Sequence, residues 1–110
     1  MKQAVSFLLI TLFVLACCHP DSVAPGASKC IIKKIKKFKR EFKDCRECFI
    51  ETAQYQGATV FVFDQGSAFD APVFVLNNAC DTLGSWGGRR FSQFRVDFEE
   101  NATDRKKIWP

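Results

Sequence analysis

The sequence predicts an α+β fold in which one N-terminal amphipathic helix packs on a small, mainly antiparallel sheet of three or four strands. Three observations carry this. Residues 29–43, KCIIKKIKKFKREFK, place apolar side chains at 31, 35, 38 and 42, with Ile32 beside them. That spacing draws one stripe along a helix. Residues 49–64 hold two β-branched and aromatic runs divided by Gln56-Gly57, a hairpin pattern. Twelve phenylalanines in 110 residues, mostly after position 37, supply a dense aromatic core for so short a chain.

In chain order, residues 1–16 read as an export signal. Lys2 charges the start, Phe7 to Leu15 form an apolar run broken only by Thr11, and Ala16 is small, as cleavage requires. The run is shorter than the roughly 20 residues of a membrane span. Residues 17–28 follow as a lipid-attachment cysteine and a flexible tether, with Pro20, Pro25, Gly26 and small polar residues. Such a tether of 11 residues, 18–28, reaches roughly 20 Å on average. Residues 29–110 form a single small α+β domain. A chain of this size buries only about 60–65% of its unfolded surface, so covalent help is expected.

Ser28 suits the N-cap of the helix. FIETAQY (49–55) and ATVFVFD (58–64) read as strands; the second, apolar on both sides, reads as central and covered on both faces. VFVL (73–76) reads as a short strand closed by an Asn77-Asn78 turn. The stretch 81–90, DTLGSWGGRR, reads as irregular and glycine-rich. FSQFRVDF (91–98) alternates Ser92, Phe94, Val96 and Phe98 against Gln93, Arg95 and Asp97, a period of two that predicts a half-exposed strand. The tail is expected to hold a short helical turn before Ile108-Trp109.

Six cysteines and an export signal point to an oxidising compartment. Val14-Leu15-Ala16-Cys17 resembles the lipobox of bacterial lipoproteins. Cys17 is the lipidation candidate because it alone follows a small residue; Cys18 follows Cys17 and is left as an odd thiol. Cys30, Cys45, Cys48 and Cys80 remain. Cys45-Arg-Glu-Cys48 has thioredoxin-like spacing, but such sites follow a strand and open a helix, whereas this pair closes one. Zinc normally takes two close pairs, and here there is one pair and two singles. Structural disulfides among the four are expected, with three possible connectivities.

The helix carries eight basic residues and one acid within 29–43. Lys33, Lys34, Lys36, Lys37, Lys39, Arg40 and Lys43 lie off its apolar stripe. A net charge of +4 and this face suit an anionic membrane surface or an envelope protein. A plain solvated face and a cationic membrane-active role are the competing readings, and export argues against nucleic acid. NNACDT (77–82) comes near the calcium loop of the βγ-crystallins, though Asp81 breaks the pattern; Asx turns explain the same residues. Asp64, Asp70, Asp81 and Asp97 sit in or beside expected loops. The single histidine, His19, lies in the tether, so no catalytic triad or Cys-His pair can be built on the domain. No enzymatic activity, cofactor or metal is expected. Trp86 and its flanking glycines suit either a binding loop or a tight turn with one packed aromatic.

The order of features resembles a group of small, functionally uncharacterised lipoproteins of Gram-negative cell envelopes. The residues concerned are Cys30-Ile31, Tyr55-x-Gly57-x-x-Val60-Phe61, Cys80-Asp81-x-Leu83, Gly87-Gly88 and Ile108-Trp109. Ser85-Trp86 stands where those proteins carry Asp before the paired glycines. The resemblance implies an envelope lipoprotein with a compact domain and no catalytic residue. The expected function is therefore a lipid-anchored binding or structural role, with a secreted membrane-active or crystallin-like protein as the alternative.

Overall fold

Gln56 and Gly57 both adopt positive φ, 52° and 78°, the combination that lets two residues close a hairpin in step with strand twist. They join β1 (Phe49–Tyr55) to β2 (Ala58–Asp64), with Tyr55 opposite Ala58 and Phe49 opposite Asp64. The structure, a computed structural model, describes residues 26–66, 71–88 and 91–110. The expected export signal, Cys17, Cys18 and most of the tether lie outside the described residues.

Three further strands complete the sheet: β3 (Val73–Leu76), β4 (Thr82–Trp86) and β5 (Thr103–Trp109). The order is β4-β3-β2-β1-β5, and every neighbouring pair is antiparallel. The fold is thus α+β, with five strands rather than three or four. Helix α1 (Lys29–Glu41) precedes the sheet, and helix α2 (Gln93–Asn101) links β4 to β5.

Ser28 caps α1 by accepting a hydrogen bond from the Ile31 amide at 3.1 Å. The stripe Ile31, Ile35 and Phe38 is buried against Ile50, Phe61, Phe63 and Leu76 on one sheet face. On the other face α2 contributes Phe98 to a cluster with Ala53, Tyr55, Val60, Val62, Val73 and Val75. Alternate residues of β2 therefore enter opposite cores, which is why that strand is apolar on both sides.

Three expectations are corrected. Residues 93–101 form a helix, not a strand. Phe94 and Phe98 satisfy a period of two, but they are also four apart and share a helix face, while Val96 turns outward. Ser92 caps this helix, accepting from the Arg95 amide at 3.2 Å. The tail is an edge strand rather than a helical turn, paired with β1 through two register shifts. Five of its seven residues are exposed and Ile108 and Trp109 are its apolar residues packed on the core, so it carries no face pattern. Lysines and bulges on such an edge also discourage pairing with other chains. Finally, β4 lies within the stretch expected to be irregular.

Gly84 shows why β4 looks unlike a strand. A Cβ there would sit 2.3 Å from the Phe94 ring, so the ring occupies the space above the backbone. Gly84→Ala is expected to lower stability by about 1–3 kcal/mol through displacement of that ring. Urea denaturation read by fluorescence checks this; an unchanged midpoint would mean that Phe94 moves aside freely.

Candidate functional site

Burial of Ile31, Ile35 and Phe38 leaves the outer face of α1 polar. Lys33, Lys34, Lys36, Lys37 and Arg40 are exposed and Lys39 is half-buried; Lys43, also exposed, lies in the turn that follows, because the helix ends at Glu41 rather than at position 43. Lys37 and Glu41 approach to 3.9 Å, one turn apart. Such an exposed pair contributes about 0.3–0.5 kcal/mol and leaves the face strongly positive. Lys33, Lys36 and Arg40 form no ion pair with a described carboxylate.

The helix is held to the sheet at its start. Asn78 in the β3–β4 loop accepts from the Ser28 amide at 2.8 Å and donates to the Gly26 carbonyl at 3.0 Å. Beside this bridge Cys30 is bonded to Cys80, joining positions 50 residues apart. Cys45 and Cys48 form the second disulfide, in the segment between α1 and β1. One of the three possible pairings is thereby selected, and the C-x-x-C serves as a local clasp with Cys48 in the core.

A groove of about 360 Å³ runs between the C-terminal half of α1 and the β2–β3 side of the sheet. Phe38, Phe42, Phe63, Phe74 and Leu76 line it, and Lys34, Lys37 and Glu41 stand at its helical rim. Spacing placed Phe38 and Phe42 on the apolar stripe, but not Phe74 beside them. Nothing local in VFVL says that Phe74, unlike Val73 and Val75, is only half-buried. On the opposite face a hollow of about 440 Å³ is bordered by Asp64, Trp86, Gly87, Gly88 and Arg95. Trp86 is a packed aromatic there: its ring lies 5.7 Å from the Phe98 ring and 5.7 Å from the Arg95 guanidinium.

The Asn and Asp side chains expected in loops divide. Asn77 Oδ1 accepts from the amides of Ala79 (3.0 Å) and Asp81 (2.9 Å), so this side chain is engaged in turn chemistry. Asp64 likewise accepts from the Gly66 amide at 2.8 Å. Asp70 lies outside the described residues. Asp97 belongs to α2 rather than to a loop or an exposed strand face, and it accepts a hydrogen bond from the Tyr55 hydroxyl. Among the described residues no group of three or more metal-ligating side chains converges. No helix among them is long and apolar enough to cross a membrane.

Sequence reasoning missed one polar cluster. Arg105 on β5 donates from Nε to Glu51 Oε1 at 2.8 Å, with a second contact from the same guanidinium, and from its other arm to Glu99 at 2.8 Å. The available signal was Glu51 itself, a charge set between Ile50 and Thr52 inside a strand. Burial on its own would lower the Arg105 pKa, but hydrogen bonding and attraction to Glu51 and Glu99 outweigh it and raise it. This cluster links β1, β5 and α2 and faces no cavity described above.

The Tyr55–Asp97 bond makes a pH prediction. It raises the Tyr55 pKa above its ordinary 10.0, with burial and the Asp97 charge acting in the same direction. The folded protein therefore holds this proton more tightly than the unfolded chain does. The contribution is complete below about pH 10 and is lost as pH rises through the folded value. The stability gap between wild type and Tyr55→Phe should be widest near neutrality and narrow in alkali. Urea midpoints of both proteins at about pH 8 and about pH 11 check it, and a constant gap would contradict it.

Comparison with family models, with curated proteins and with solved structures finds no match.

Proposed function

We propose that this protein is a lipid-anchored component of the bacterial cell envelope whose basic helix lies against an anionic surface, head groups or an envelope partner. The observation that carries the reading is the division of labour on α1. Ile31, Ile35 and Phe38 of its apolar stripe are spent in the core, and its outer face offers Lys33, Lys36 and Arg40 without carboxylate partners among the described residues. A membrane-disrupting helix would need that stripe for lipid, which favours surface attraction over insertion. If Cys17 carries a lipid, the nine residues to Gly26 span at most about 30 Å, which keeps α1 near the head groups. The envelope-lipoprotein resemblance points the same way.

The test has two arms. Intact mass of the native protein should show a diacylglyceryl and an N-acyl group on Cys17, and an unmodified N-terminus at Cys17 would refute the anchor. Cys17→Ser should release the protein from membranes and Cys18→Ser should not. In the released protein, Lys33→Gln, Lys36→Gln and Arg40→Gln together should weaken binding to anionic vesicles roughly a hundredfold, at about 1 kcal/mol for each charge. Binding that ignores these charges would refute the surface contact.

A further inference from the structure

We propose that the groove between α1 and the sheet is a binding site for a single-chain anionic amphiphile, of the class of long-chain carboxylates. The acid group would sit at Lys34 and the chain would lie across the phenylalanines. The floor is built before any ligand arrives. Phe38 packs against Phe42, Phe63 and Trp109 with ring centroids 4.5, 5.5 and 5.8 Å away. Phe42 and Phe74 are half-buried, so apolar surface stays open along the groove. Its volume of about 360 Å³ falls within the small-molecule range of about 300–1,000 Å³.

The rim selects the head group. Lys34 is exposed and has no carboxylate partner among the described residues, whereas Lys37 shares its charge with Glu41. One net positive charge therefore stands where an apolar floor meets solvent. An ammonium over a carboxylate forms a charge-assisted hydrogen bond, and a cationic head would be repelled. The outer-face cations, Lys33, Lys36 and Arg40, do not line the groove, so this site does not depend on the anchor or on vesicle binding.

The experiment is calorimetric titration of the full chain carrying Cys17→Ser with dodecanoate, below its micelle concentration, against dodecyltrimethylammonium. Dodecanoate should bind at one site per chain and at least about tenfold more tightly than the cation. Lys34→Glu and Phe42→Gln should each weaken it about tenfold or more, with both disulfides intact by thiol count. Lys36→Glu should leave it unchanged while weakening vesicle binding, so the two proposals fail separately. Equal affinity for both head groups, or wild-type affinity in the Lys34 and Phe42 variants, overturns the site. Binding seen with Cys17→Ser but lost in the lipidated protein assigns the groove to the chain's own acyl group and overturns it too. So does a Phe42→Gln variant that changes only self-association in sedimentation, which assigns the groove to a second copy.

Discussion

Cys30→Ala with Cys80→Ala is expected to destabilise the protein by about 4 kcal/mol, against about 1.6 kcal/mol for Cys45→Ala with Cys48→Ala. The difference follows from loop length. The first disulfide closes a loop of 50 residues and the second a loop of three, and the entropy removed from the unfolded chain grows with the logarithm of that number. Marginal domains of this size have about 5–15 kcal/mol in total, so the first loss threatens folding at growth temperature. Location sharpens the contrast. Cys30–Cys80 stands beside the Asn78 bridge and fastens the start of α1 to the β3–β4 loop. Its loss should also loosen the helix that carries the basic face. Urea denaturation of the two double variants, with hydrogen exchange of the α1 amides, measures both effects. Equal destabilisation by the two pairs would contradict the loop-length account.

Phe98→Ala is expected to cost about 3–5 kcal/mol. The side chain is 0% exposed and meets Tyr55, Trp86 and Phe94 with ring centroids 5.2–6.0 Å away. Arg105 lies over the same ring at 5.3 Å. Removing it opens a cavity beneath α2 that these neighbours cannot all fill, because Phe94 is held above Gly84 and Arg105 is bound to Glu51. Phe98→Leu should cost less, since it retains most of the buried volume. Thermal and urea unfolding of both variants provide the check. A loss below 1 kcal/mol for Phe98→Ala would mean that this half of the core repacks around the vacancy.

The sites differ in how far they could be read in advance. The cations of α1 were identifiable because helical spacing alone separates them from Ile31, Ile35, Phe38 and Phe42. The groove beside them was not, because Phe74 and Leu76 reach it only after β3 pairs with β2. The Tyr55–Asp97 and Glu51–Arg105 contacts join residues 42 and 54 positions apart. A charge inside a strand flags Glu51, but no local pattern names a partner at that range.

By itself, the sequence determined α1, the β1–β2 hairpin and β3. In each, a local signal acts within a few residues: an apolar stripe behind Ser28, two positive-φ residues at Gln56-Gly57, or a run apolar on both faces. Tertiary structure alone decided residues 82–109. Phe94 and Phe98 fit both a strand and a helix, and the helix is chosen because its one face covers the second side of the sheet. β5 holds its place through backbone pairing with β1 and through Arg105, neither of which needs an apolar pattern. The cysteine pairing was decided in the same way, since it depends on which Cα atoms the finished fold brings to 6.2 Å.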